Sequence, residues 1–250
     1  MNSLLLLPLL LGGPVPGPTV AAPVDQPALD GYAELSAAYA TALEEHLEKM
    51  RAAKGLKAKR EVRESHPARS FWPRFEALAE EDGRGYLLMV QHIRDRDLSR
   101  KERGAEVERL HALLVREHVG AAWFGSVLDQ LRRDARTVGD DFYREAHRAA
   151  MEKSRHDLVR AQGMYVLAKI LLVSEVEAER AEGGQLFDRL VEELPGTEYA
   201  ERAEAELFEI KYLGVGCEAP DFEAATLEGH EFKLSDYRGK VVLLDFYGFW

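Results

Sequence analysis

The chain has 250 residues, with Lys+Arg 33 against Asp+Glu 44 and a formal net charge of −11. That sign excludes a bulk nucleic-acid binder, whose affinity rests on phosphate contacts, while 46% hydrophobic and 31% charged residues exclude both an acidic disordered tail and a membrane bundle. The single cysteine, Cys217, excludes an internal disulfide framework and a zinc site built on several thiolates.

The first element is an address. Leu4 to Leu11 is an apolar run broken by Pro8, too short for a membrane span of about 20 residues. A Gly/Pro-rich stretch and the small residues Thr19-Val20-Ala21-Ala22 follow. This order predicts a secretory signal peptide over 1–21, cleaved after Ala21, since Pro23 obstructs a cut after Ala22. The run lacks a basic n-region; the first Lys or Arg is Lys49. The expectation is an exported, periplasmic or extracytoplasmic protein with no membrane span after signal cleavage.

From 29 to 212 the spacing predicts an α-helical domain. Tyr32, Leu35, Tyr39, Leu43, His46, Leu47 and Met50 recur at helical intervals. The polar stretch from Lys54 to Arg69, with Lys57, Lys59, Arg60 and Arg63, reads as a solvated helix end; a linker and an anion-binding face are the alternatives. Phe71, Trp72 and Phe75 surround Pro73, which suits a first helical turn. Asp82-Gly83-Arg84-Gly85 is a turn, and a helix starts between Tyr86 and Ile93. Ser99 is the expected N-cap of a helix carrying Val107, Leu110, Leu114 and His118. Trp123, Phe124, Val127, Leu128 and Leu131 form the next apolar face, and Asp140 is the expected cap of the one after.

Leu158 to Val173 is rich in apolar residues, with Met164, Tyr165, Leu167, Ile170 and Leu171. A second face, Leu186, Phe187, Leu190, Val191 and Leu194, stops at Pro195-Gly196, and Thr197 caps a helix with Tyr199, Ala203, Leu207 and Ile210. This arrangement resembles a single tetratricopeptide-type hairpin; a plain helical scaffold accounts for the same spacing. The predicted core holds Trp72, Trp123, Tyr165, Phe187, Leu190 and Leu207. None of the common catalytic or phosphate-binding motifs is present. His111, His118, His147 and His156 lack metal-ligand spacing, so no metal or cofactor is expected.

The texture changes at Val215. Glu228-Gly229-His230 predicts a hairpin turn between two short strands. Leu234 to Tyr237 predicts a one-turn helix closed by Gly239. Val241 to Phe246 is a continuous apolar, β-branched run, the pattern of a strand buried on both faces of an α/β sheet; without the neighbouring strands of a complete domain, the expectation for 215–250 is poor order, or a hairpin with an exposed apolar strand. Gly216, Ala219-Pro220-Asp221-Phe222, Leu227 with Gly229, Leu234-Ser235-Asp236, Gly239-Lys240 and the run Val241–Phe246, in that order, resemble the opening of the thioredoxin-like redoxin family. That group contains the TlpA-like thiol-disulfide oxidoreductases and the AhpC/TSA peroxiredoxins. The resemblance covers 215–250. It implies a mainly α chain followed by the first strands of an incomplete α/β thioredoxin fold.

In that family the strand runs into Trp-Cys-x-x-Cys, with the first Cys at a helix N-terminus that stabilises its thiolate. The resemblance makes Asp245 a buried proton acceptor for the resolving thiol and Trp250 the residue flanking the redox motif. Neither motif cysteine lies within these residues, and Cys217, in the extension before Ala219-Pro220, reads as an ordinary side chain or a free thiol. Trp250 stands where the residue before the first Cys falls. The expectation drawn from this is a selenocysteine, encoded by UGA, at the following position; a nonsense mutation, a frameshift or an assembly edge is the rival account. The resemblance implies protein thiols and disulfides, or a recycling redox partner, as partners of a complete domain. A peroxiredoxin-type antioxidant protein is the alternative, although Tyr247-Gly248-Phe249-Trp250 lacks the Pro and Thr of that branch. A further alternative is a non-enzymatic helical module that binds a protein partner and carries a redoxin stub.

Overall fold

The computed structural model describes residues 30–245. The signal peptide expected over 1–21 lies outside them, as do Phe246 and Trp250. The chain is mainly helical, with ten α-helices and one two-stranded sheet among the described residues. It divides between Leu207 and Phe208 into two compact units.

In the helical unit, α1 (Asp30–Ala52) buries Leu35, Tyr39 and His46, while Leu47, expected on the same stripe, is exposed. The short α2 (Leu56–Glu64) buries none of its residues. Next, α3 (Ala68–Asp82) starts behind Pro67, so Pro73 stands in its second turn rather than its first. Pro67 is already suited to the helix entrance and fixes the start six residues earlier. Gly83, at φ 80°, ends α3 and starts α4 (Arg84–Gln91). A left-handed residue there turns the chain sharply enough for the Gly85 position to lie against α3, where a Cβ would fall 2.0 Å from the Phe75 carbonyl oxygen.

Ser99 caps α5 (Arg100–His118) as expected: its hydroxyl accepts from the Glu102 N–H at 3.2 Å and its own N–H donates to the Glu102 carboxylate at 2.9 Å. Then come α6 (Phe124–Val138) and α7 (Asp140–Lys153). Asp140 is not a cap. It is the first helical residue of α7, preceded by Gly139 at φ 84°, and it supplies negative charge at the positive end of the helix dipole. Apolar faces of α1 and α3 to α6 converge on one core containing Tyr39, Trp72, Phe75, Leu88, Leu110 and Phe124.

A second core lies among α8 (Asp157–Leu172), α9 (Glu177–Glu193) and α10 (Glu198–Phe208), around Met164, Leu167, Phe187, Leu190 and Ala203. Gly163 lets α8 approach α7, and Gly183 lets α9 approach α8; a Cβ at either site would meet backbone at 2.7 and 3.0 Å respectively. Thr197 caps α10 through its hydroxyl, which accepts from the Ala200 N–H at 3.1 Å. Of the six predicted core residues, Trp72, Phe187 and Leu190 are buried; Trp123, Tyr165 and Leu207 are half-buried and pack against the two cores. Leu158 and Ile210, placed on apolar faces by spacing, are exposed.

In the second unit a π turn, Glu209–Leu213, precedes a hairpin of β1 (Glu223–Ala225) and β2 (Glu231–Lys233), followed by a 3₁₀ turn over Leu234–Tyr237. The expected strand from Val241 is not formed. Val241 to Asp245 are exposed and carry no strand pairing. A strand buried on both faces needs a ladder partner on each edge and cover above and below. The described residues supply none of these to this run.

Candidate functional site

The redoxin-like segment is held by a small set of backbone clasps. β1 and β2 pair antiparallel with Ala224 opposite Phe232. The loop closes through the Thr226 N–H, which donates to the His230 carbonyl at 2.8 Å, and Gly229 turns the chain at φ 84°. Past β2, the Asp221 carboxylate accepts from the Ser235 N–H at 2.8 Å, and the Leu234 N–H donates to the Phe222 carbonyl at 3.1 Å. The hydrogen bonds from Ser235 hold the Asp221 carboxyl below the usual carboxylate range. Asp236 in turn accepts from the Lys233 N–H at 2.9 Å and fixes the start of the 3₁₀ turn. Phe232 meets Tyr237 edge to face, with ring centroids 6.0 Å apart. Thus Pro220-Asp221-Phe222 and Leu234-Ser235-Asp236, fourteen residues apart at the Asp221–Ser235 bond, are one structural feature.

This scaffold delivers the chain to Gly239, at φ 82°, and into the apolar run. Asp245 stands at the end of the described residues and is exposed, not buried. The burial expected of it depends on a sheet that the described residues do not build. Trp250 lies outside the described residues. Cys217 is a free, exposed thiol. As the only cysteine of the chain it has no second thiol to work with.

Sequence reasoning missed the polar clusters inside the helical unit. The Tyr39 hydroxyl donates to Asp95 Oδ2 at 2.7 Å, and His92 Nδ1 lies 3.4 Å from the same oxygen. Burial pushes the Asp95 carboxyl up, but the His92 and Tyr39 hydrogen bonds outweigh it, and the group titrates below its ordinary range. His111 is fully buried, with Nε2 3.0 Å from Asp134 Oδ2, an oxygen that also accepts from Gln130. His147 is buried with its Nδ1 2.7 Å from the Tyr143 carbonyl, and desolvation lowers its pKa to about 4. The only sequence signal for these histidines is an imidazole on an apolar helix face; their partners are set by tertiary packing. Among the described residues no group of three or more His, Cys, Asp or Glu side chains is arranged to hold a metal ion.

Residues 215–250 match the AhpC/TSA family. Over 38 residues, 15% of this chain, the sequence is 58% identical to the thiol-disulfide oxidoreductase ResA of Geobacillus kaustophilus (strain HTA426). It is 55% identical over 38 residues to the thiol-disulfide oxidoreductase ResA of Geobacillus thermodenitrificans (strain NG80-2). The chain spans 22% of the length of each of these curated relatives. No solved structure matches the chain significantly. The AhpC/TSA segment thus coincides with the clasped hairpin, the 3₁₀ turn and the run that follows Gly239.

Proposed function

We propose that residues 215–250 are the N-terminal part of a thioredoxin-like thiol-disulfide oxidoreductase domain, joined to a helical unit that serves as a docking scaffold for a protein partner. The observation that carries this reading is the 58% identity over 38 residues to a protein named as a thiol-disulfide oxidoreductase. The Asp221–Ser235 clasp supports it, because it gives two parts of the redoxin-like pattern a structural reason to occur together. In a complete domain of this kind, Asp245 accepts the proton of the resolving thiol and Trp250 packs beside the dithiol. Its partners are protein thiols and disulfides, or a redox protein that recycles it. The reading of 1–21 as a signal peptide places the protein outside the cytoplasm. Within these 250 residues Cys217 is the only thiol, so a two-thiol exchange cycle does not run on this chain alone.

The AhpC/TSA match also favours the peroxiredoxin reading, and a graft separates the two. The matching 38-residue stretch of the Geobacillus kaustophilus relative is replaced by that of this chain, and the product is assayed for insulin disulfide reduction and for peroxide reduction. Retained disulfide reduction supports the oxidoreductase reading. A folded graft that no longer reduces disulfides overturns it, and gained peroxide turnover in its place selects the peroxiredoxin reading.

A further inference from the structure

A cleft of about 740 Å³ opens between α2, α3 and the turn after α4. Its size falls within the range of small-molecule sites. Two helical stripes line it: Arg60, Arg63 and Glu64 on α2, and Arg69, Trp72, Pro73 and Glu76 on α3, each at three- and four-residue spacing. The His66 corner between the helices and the segment Asp95–Asp97 complete the wall.

The wall carries four arginines and four acids, and they do not all pair with one another. Of its acids, Glu64 is taken by Arg60 at 2.9 Å, and Asp95 by Tyr39 and His92. Glu76 and Asp97 remain. Against them stand the forks of Arg63 and Arg69, neither of which is in a salt bridge among the described residues, each carrying five N–H groups. Arg96 lies over the Trp72 ring, 4.5 Å from its centroid, rather than on an acid. Trp72 is only 6% exposed, and its indole N–H has no hydrogen-bond partner among the described residues. His66 Nδ1 accepts from the Ala68 N–H at 3.1 Å, which places the proton of the neutral ring on Nε2 and makes that atom a donor too. Burial, then His46, lowers the pKa of this ring. Of these donors only the Trp72 N–H is buried and unpaired, an exception in folded proteins; the forks of Arg63 and Arg69 are exposed on the cleft wall. The setting is also unusual for this molecule, whose net charge of −11 disfavours anions over most of its surface.

We propose that this cleft binds a small oxyanion-bearing ligand, a carboxylate or a phosphate ester, gripped by Arg63 and Arg69 and backed by Trp72. Arginine forks match both oxyanions in planar, two-point contacts. Glu76 and Asp97 reject a second anionic group on the rim and favour a ligand that is polar but uncharged there.

The test is calorimetric titration of the full chain with inorganic phosphate and, separately, with acetate, at constant ionic strength set by chloride. Saturable binding of either is expected; which one saturates identifies the source of the oxyanion. Removing one fork by Arg63→Gln or Arg69→Gln is expected to weaken it about tenfold, and the double variant to abolish it. Both arginines are exposed, so an unchanged melting curve is expected for each variant. Arg69→Lys, which keeps the charge but loses the fork, is expected to bind at intermediate strength. No saturation with either anion, or undiminished binding by the double variant, overturns the proposal.

Discussion

Tyr39 on α1 reaches across 56 positions of sequence to Asp95, its hydroxyl donating to the carboxylate at 2.7 Å. The Tyr39 ring also meets Phe71, Phe75 and His92 edge to face, with centroids 5.2, 5.3 and 4.6 Å away. One side chain therefore joins α1 to α3 and to the turn after α4. Tyr39→Phe keeps the ring contacts and removes only the hydrogen bond. It is expected to cost about 1.5 kcal/mol, the lower end for a bond to a charged group, because Asp95 is partly solvated. Urea unfolding of the two proteins at neutral pH measures it; no change would mean that Asp95 is held equally well by His92 alone.

His147 makes stability depend on pH. Its folded pKa of about 4 lies below its unfolded value, so between the two the unfolded chain binds more protons. Stability from this group is complete above about 6.5 and falls as pH drops toward 4, by roughly 3 kcal/mol in all. Unfolding free energies measured from pH 8 to 4 are expected to slope over that window, and to slope less in His147→Gln. An equal slope in the variant would assign the effect to other groups. Asp95 adds acid sensitivity at lower pH, since its depressed pKa gives stability that is lost only as pH falls through the folded value.

Gly85→Ala is expected to be among the most damaging small changes in the helical unit. The new Cβ would lie 2.0 Å from the Phe75 carbonyl oxygen and 2.3 Å from the Ala79 nitrogen, and neither is a flexible side-chain end. Separating α4 from α3 to make room should cost about 3 kcal/mol or more. Thermal melting reads this directly, and a variant melting with the parent would mean that α4 shifts without loss.

Ser99→Ala removes the hydroxyl half of the capping box on α5. The expected cost is about 1 kcal/mol, recovered almost fully by Ser99→Asp or Ser99→Asn. Denaturant midpoints of the three variants check it; equal losses in all three would show that the cap contributes nothing beyond chain geometry.

Local chemistry in this chain was legible and long-range pairing was not. Ser99 with Glu102, Pro195-Gly196 with Thr197, and Glu228-Gly229-His230 each settle an element boundary within a few residues, so spacing alone locates them. Pro73 shows the limit: two prolines suited to a helix entrance compete, and the structure uses Pro67. The clusters Tyr39–Asp95–His92 and His111–Asp134–Gln130 join separate elements, and nothing in their spacing announces them. In the AhpC/TSA segment the motif residues were readable, and so was the hairpin. The run from Val241 has the pattern of a doubly buried strand, but among the described residues it has no ladder partner and stays exposed. Leu243, 83% exposed, keeps the composition of a buried strand without the burial.

The central proposal is that residues 215–250 open a thiol-disulfide oxidoreductase domain. The most direct measurement appends to this 250-residue chain the part of the Geobacillus kaustophilus relative that follows its matched stretch, and follows insulin reduction together with amide exchange at Val241–Leu244. The account predicts disulfide turnover within about tenfold of the relative, slowed in Asp245→Asn, with those four amides passing from fast to protected exchange as the run gains its ladder partners. A folded fusion whose Val241–Leu244 amides stay unprotected and which reduces no disulfide would contradict it.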